Sequence, residues 1–336
     1  MSAPHSRIPL TVLTGFLGSG KTTLLNRLLR DPAYADAAVI VNEFGEIGVD
    51  HHLVRGAPGN IALVEGGCIC CTASGGVADA LRDLFMAAVR RQVKPFTHVL
   101  IETTGLAGPA PLLFTLRHDP FLAERYVYRG SIVVADAQHL LRQLQAQPEA
   151  VQQIVLADTV AISKADLCAP SQVEAVRQAV VGINPGAAVC VLQPDGPLDA
   201  SLLAPSRTER GTGQAAQLGQ WLGAFTRGGG TPHVGVGQLV LDLPKPITRS
   251  AFLAGMDALM APHGDALLRV KGLVGFSGES APCAVHGVHR QLYPLEPLEK
   301  WPDGVAQSGL VFILRGEAPE ALRPEALRAL GQGAWH

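Results

Sequence analysis

No run in this sequence approaches the ~18 consecutive apolar residues of a membrane-spanning helix. The first residues, with His5 and Arg7 as their basic or titratable members, lack the apolar segment of a secretory leader. The expected compartment is the cytoplasm, with no membrane partner. Net charge is scarce as well: 27 Lys and Arg nearly balance 29 Asp and Glu, leaving −2 and no basic tract. That argues against the electrostatic footprint of a nucleic-acid-binding protein. Cysteine is sparse, six in 336 residues, which in an unsecreted chain argues for reduced thiols in metal or catalytic use. Internal repeats and low-complexity tracts are also missing. What is left is an ordinary globular composition, 47% hydrophobic over 336 residues, long enough for two domains at ~150 residues each.

Half of that small cysteine complement sits in one place. "GGCICC" packs Cys68, Cys70 and Cys71 into four positions, and Cys168, Cys190 and Cys283 are scattered singly. Adjacent cysteines seldom bridge each other, because a strain-free disulfide wants Cα atoms roughly 5.5 to 6 Å apart. The cluster reads as a soft-metal or redox site. The three single cysteines read as packing residues.

Along the first 200 residues, short runs rich in Val, Ile and Leu alternate with amphipathic stretches. "IPLTVLTG", "AAVIVNEFG", "NIALVEGG", "THVLIETTG", "GSIVVADA", "TVAISKAD" and "AAVCVL" read as strands buried on both faces. "KTTLLNRLLR" and "GGVADALRDLFMAAVRRQ" space their apolar residues at helical intervals. This alternation predicts an α/β fold with a doubly wound, mostly parallel sheet over residues 1–200,. Residues 201–232, rich in Gly, Gln, Thr and Arg, read as a linker or mobile insertion. Residues 233–336 predict a smaller α+β domain: a strand, a helix, a pair of strands, a third strand and the closing helix "PEALRPEALRALGQ".

Gly15 to Thr22 fits G-x-x-x-x-G-K-[ST] between an apolar run and a helical one, which is the context a phosphate-binding loop requires and marks a P-loop NTPase. Gly15, Gly18 and Gly20 let the backbone curl so that its N–H groups and the helix N-terminus surround phosphate oxygens. Lys21 is positioned to reach the β and γ phosphates, and the Thr22 hydroxyl to hold Mg²⁺. "SKAD", Ser163 to Asp166, ends a later strand. Asp166 can accept two hydrogen bonds from the donor pair of guanine, and the Lys164 stem can lie along the base, which favours GTP over ATP. Ser163 stands where many GTPases have Asn.

Glu102 ends the apolar run of "LIETTG". A carboxylate there is placed to hold Mg²⁺, and Gly105 lets the next loop approach the γ-phosphate. "VNEFGEIGVDHH" crowds Asn42, Glu43, Glu46, Asp50, His51 and His52 after another strand, as a switch segment or a metal-ligating loop would. If residues 68–71 are extended, Cys68 and Cys70 share one side and Cys71 takes the other. Two thiolates with donors from elsewhere form an incomplete shell that suits metal in transit, with Zn²⁺, Cu⁺ or Co²⁺ as the matching ions. A redox relay is the rival use of the same thiols. His286 and His289, on one strand, would face opposite sides and satisfy local hydrogen bonds.

In order and spacing, "GFLGSGKTT", "VNEFGEIGVD", "GGCICC", "ETTGLAGPAP", "VVADA" and "SKADL" resemble the CobW-like family of P-loop GTPases. "LRVKGLVGF", "VHGVHRQLYP", "WPDG" and "LVFI" resemble that family's C-terminal domain. The resemblance implies a GTP-hydrolysing metallochaperone in which Gly15 to Thr23, with Ser19 and Thr23 among them, bind phosphate and Lys21 and Glu102 are catalytic. It implies transition-metal ligation by Cys68, Cys70 and Cys71 with Glu43, and a client metalloprotein as the recipient. Gly66 departs from the Asn many members carry, and the chain lacks the His-rich tract of some members, so the metal, zinc first and cobalt next, stays open. A regulatory GTPase with redox-sensing thiols and no metal cargo is the alternative, and a nucleotide-dependent kinase or synthetase is a third.

Overall fold

A computed structural model describes residues 7–42, 61–64, 76–103, 112, 115–116, 119–203, 222–225, 235–302, 307–316 and 318–332. The chain divides into two compact units, Met1–Arg177 with Ala188–Ala204 and Gln178–Ala187 with Pro205–His336. Among the described residues, no helix is long and apolar enough to cross a membrane.

The seven apolar runs are all strands: β1 (Ile8–Thr14), β2 (Ala37–Asn42), β3 (Ile61–Val64), β4 (His98–Glu102), β5 (Tyr126–Asp136), β6 (Thr159–Ser163) and β7 (Ala188–Val191). They form one sheet in the order β3-β2-β4-β1-β5-β6-β7, with every pair parallel. Helices α1 (Lys21–Leu28), α2 (Gly76–Val89), α3 (Pro120–Arg125), α4 (Leu140–Ala146), α5 (Pro148–Leu156) and α6 (Pro170–Ile183) intervene. The alternation of side chains along each strand serves two separate cores. Leu10, Val12, Ile40, Val99 and Ile101 join Val77, Leu81 and Leu84 of α2. Leu13, Val39, Leu100, Ile132 and Val134 join Leu24, Leu25 and Leu28 of α1 on the other face. A fully buried Leu contributes roughly 1.5–3 kcal/mol by leaving water, so covering both faces is what selects continuous apolar strands over alternating ones. β7 departs from this expectation: Ala188 and Val191 are exposed, because it is the sheet edge. α3 starts at Pro120 with Asp119 as its cap, accepting from Phe121 N and Leu122 N, which satisfies two otherwise orphaned donors.

After β1 the chain winds to one side through β2 and β3, returns as β4, and then crosses β1 to begin β5. That reversal is a topological switch point, where open α/β sheets bind ligands beyond the carboxyl ends of their strands. Residues 199–203 pack onto this unit: Leu202 is buried, and its carbonyl accepts from Tyr34 Oη at 3.0 Å.

In the second unit β8 (Val236–Leu243), β9 (Leu267–Val274), β10 (Cys283–Val288), β11 (Gln291–Leu292) and β13 (Ser308–Arg315) form a sheet ordered β11-β10-β9-β13-β8, with β12 (Glu296–Pro297) pairing β10. All these pairs are antiparallel. Helix α7 (Arg249–His263) contributes Phe252, Met256, Leu259 and Met260, and α8 (Pro319–Ala329) contributes Leu322 and Ala326, to one core with Leu239, Leu241, Val270, Leu310 and Phe312. A Cβ on Gly255 would lie 2.2 Å from the Ala329 carbonyl oxygen, so this glycine is what lets α7 approach the end of α8. The expectation that His286 and His289 share a strand is corrected here. His286 lies in β10, but His289 follows it with φ 51, because the chain turns there to enter β11.

Candidate functional site

Four neighbouring strands deliver the motif residues to one edge of the first sheet. At the end of β1 the chain passes through Gly15 with φ 140, and a Cβ there would meet the Val134 carbonyl oxygen of β5 at 2.3 Å. The loop therefore lies against β5 in a way only glycine permits. Gly15→Ala combines that clash with a strained backbone. It is expected to lower unfolding free energy by roughly 2–3 kcal/mol, measured by urea denaturation, and an unchanged midpoint would contradict the packing. Gly18 follows with φ 73, and Gly20, at φ 95, caps α1 in the left-handed conformation. No acidic residue occupies the first turn of α1, so the helix presents its N–H groups and positive dipole end unopposed. Ser19 is buried, and its Oγ has no hydrogen-bond partner among the described residues. Such an atom costs free energy unless a ligand oxygen meets it.

Lys21 Nζ donates to the carbonyls of Gly15 at 3.0 Å and Phe16 at 3.2 Å, which holds its charge across the mouth of the loop. Thr22 Oγ1 donates to Glu102 Oε1 at 2.8 Å across 80 residues of sequence. Glu102 is only 6% exposed at the end of β4. With its proton committed to the carboxylate, the Thr22 hydroxyl has lone pairs to offer a cation. Thr23 is exposed one residue further along α1.

The base-reading tetrapeptide is split in its contacts. Ser163 is buried, and its Oγ turns toward backbone: it donates to the Ser19 carbonyl at 2.7 Å and lies 3.3 Å from that of Ala135. It ties the phosphate loop to the end of β6. Lys164 takes φ 55, and its Nζ donates to Asp136 Oδ2 at 2.7 Å. Asp166 is exposed. Asp136 itself, the buried last residue of β5, also accepts from the Gln138 N–H at 2.8 Å and sits 3.0 Å from His139 Nδ1. Burial works to raise its pKa, but the hydrogen bonds from Lys164, His139 and Gln138 and the ammonium charge overcome it, holding the carboxyl below its ordinary value,. Asp136 and His139 were not singled out in the sequence as site residues. The available signal was "VVADA", an acid at a strand end like Glu102.

Glu43, Cys68, Cys70 and Cys71 lie outside the described residues, as do Glu46, Asp50, His51, His52, Gly66 and Gly105. Their chain positions are nonetheless bounded: Glu43 directly follows β2, and Cys68 comes four residues after the end of β3.

The profile of the CobW/HypB/UreG nucleotide-binding domain matches residues 9–191. The chain belongs to the CobW/HypB/UreG family. Membership makes it a P-loop GTPase, in agreement with the resemblance carried by its motifs. This CobW/HypB/UreG protein also matches the cobalamin synthesis protein CobW C-terminal domain over residues 236–330. It is 31% identical over 309 residues to the zinc chaperone YjiA of Escherichia coli K12, spanning 91% of this chain and 93% of that relative. Over 305 residues it is 26% identical to the zinc chaperone CobW of a Sinorhizobium species, spanning 82% and 84% of the two chains. The crystal structure of zinc(II)-bound YjiA GTPase from E. coli superposes with a TM-score of 0.65 at 27% identity, covering 97% of this chain and 99% of that one. The α/β fold with a second, antiparallel-sheet domain thus agrees with the fold read from the sequence.

Proposed function

We propose that this chain is a GTP-hydrolysing metallochaperone. It binds a transition metal, zinc in preference to cobalt, through Cys68, Cys70 and Cys71 with Glu43, and passes it to a client metalloprotein as GTP is cleaved. One observation carries the reading: β3, β2 and β4 are adjacent and parallel, with Asn42 opposite Val64 and Val41 opposite Glu102. The segments bearing Glu43 and the thiols therefore both leave the sheet at the edge where Glu102 faces Thr22. Glu43 directly follows β2, Cys68 comes four residues after the end of β3, and neighbouring strands are ~4.8 Å apart, which supports a reading in which the thiols serve a metal beside the nucleotide. The names of the zinc chaperone relatives support the cargo.

In this reading Gly15, Gly18, Ser19, Gly20, Thr22 and Thr23 cradle the phosphates, Lys21 spreads positive charge over them, and Ser163, Lys164 and Asp166 serve the guanine end. The donor pair of Thr22 hydroxyl and buried Glu102 carboxylate is hard oxygen, as Mg²⁺ prefers. Bound Mg²⁺ would supply charge neutralisation at the β and γ phosphates. The rest of catalysis is positioning: the loop, Lys21 and Glu102 are set by β1, α1 and β4 before substrate arrives, which lowers the reorganisation needed in the transition state. Metal and GTP are coupled because both engage segments leaving the same strand ends. By reciprocity each ligand strengthens the other's binding by the same factor.

The test is a titration of the reduced protein with Zn²⁺ and with Co²⁺, in Mg²⁺ plus a non-hydrolysable GTP analogue and again in Mg²⁺–GDP. The expected result is one metal per chain, bound at least about tenfold more tightly with the analogue, with thiolate-to-cobalt absorption. Equal binding in both nucleotide states would break the coupling. No metal uptake, together with loss of GTP turnover under mild peroxide that a thiol reductant reverses, would move the assignment to a redox-sensing GTPase.

A further inference from the structure

We infer that Asp136 is a positioning residue for nucleotide recognition: it fixes the ammonium end of Lys164, whose backbone end is held through Ser163, so that the lysine stem is pre-set as a platform for the base. The inference rests on the reading of residues 163–166 as the guanine-binding segment. Four observations carry it. Lys164 adopts a left-handed backbone, φ 55, which few non-glycine residues take unless their surroundings hold them there. Its ammonium is anchored 2.7 Å from Asp136 Oδ2. The residue before it is pinned by the Ser163 hydroxyl to the phosphate loop at Ser19. Asp136 is in turn held by its surroundings: its side chain is 5% exposed and accepts from the Gln138 N–H and from Lys164, with His139 Nδ1 also in contact.

A free lysine is among the most mobile of side chains, and ordering it when a ligand arrives weakens binding. Here the ordering is done by Asp136. β5 and β6 pair in parallel with Asp136 opposite Ser163, so the acid stands one residue out of register from the lysine it holds. The ammonium is occupied by Asp136, leaving four methylenes as the surface the side chain offers a ligand. A planar purine is the chemistry that fits such a strip, with Asp166 available for its polar edge. Asp136 thus acts through Lys164 and need not touch nucleotide itself.

The experiment measures Kd for Mg²⁺–GDP by fluorescence with an N-methylanthraniloyl analogue, in a cycle of Asp136→Asn and Lys164→Ala. Asn keeps the shape and the Gln138 contact and removes the charge. The expected result is about a tenfold rise in Kd for Asp136→Asn in the native background and less than a twofold change in the Lys164→Ala background. An equal loss in both backgrounds, or none in the native one, would overturn the inference. Should Asp136→Asn fail to fold, Lys164→Met keeps the stem without the anchor and is expected to bind as weakly as Lys164→Ala. Native affinity in Lys164→Met would overturn it. Wild-type protein that binds Mg²⁺–ADP as tightly as Mg²⁺–GDP would instead overturn the guanine reading on which the inference rests.

Discussion

Glu102→Gln is expected to lower kcat for GTP hydrolysis by roughly 100-fold or more. The substitution keeps the shape of a side chain that is 6% exposed at the end of β4, and the Thr22 hydroxyl can still donate to the amide oxygen, so the protein folds. What disappears is the negative charge next to the place assigned to Mg²⁺. The variant should need a much higher Mg²⁺ concentration for half-maximal turnover, and its maximum should stay low, because charge neutralisation at the phosphates matters most in the transition state. Phosphate release followed across a Mg²⁺ titration reads both quantities. A change below threefold in each would remove Glu102 from the catalytic site and leave it as the partner that orients Thr22.

That pair shows which parts of this molecule the sequence discloses and which it does not. Strands buried on both faces write themselves as continuous apolar runs, and all seven runs of the first domain are strands. The phosphate loop is legible because its requirements are local: glycines where φ is positive, a strand before and a helix after. Glu102 is legible as a strand-end acid. Its 2.8 Å contact with Thr22 is not, because it depends on β4 lying beside β1, and strand order is a tertiary property that no local pattern records. The same holds on the other side of β1. "SKAD" reads as one functional unit, but burial turns Ser163 inward to a carbonyl 144 positions away. Lys164 meets an acid 28 positions away, which only the pairing of β5 with β6 brings near. Residues 199–203 make another contact that composition does not record: Leu202 is buried in the first unit, because a few apolar side chains suffice to fasten a short segment to a nearby core.

The thiols are a further case, in which residue chemistry is plain in the sequence and geometry is not. Cys68→Ala with Cys70→Ala is expected to weaken zinc binding in the GTP-analogue state by about 10³-fold or more. Four ligands hold a structural zinc with ~10–16 kcal/mol, so two of four such donors are worth roughly 5 kcal/mol or more, and each ~1.4 kcal/mol is tenfold. Cobalt provides the independent readout, since thiolate-to-cobalt absorption falls with each thiolate removed, whatever oxygen donors remain, and what persists in the double variant reports on Cys71. Cys71→Ala alone separates the ligand arrangements: an extended backbone turns Cys71 away from the other two, so unchanged affinity there would complete the shell with Glu43, and a large loss would make all three thiolates ligands. If the double variant binds zinc as the parent does, the cargo site is elsewhere in the chain. The "GGCICC" thiols would then have to serve oxidation sensing, which the same variants would abolish in a peroxide titration of GTP turnover.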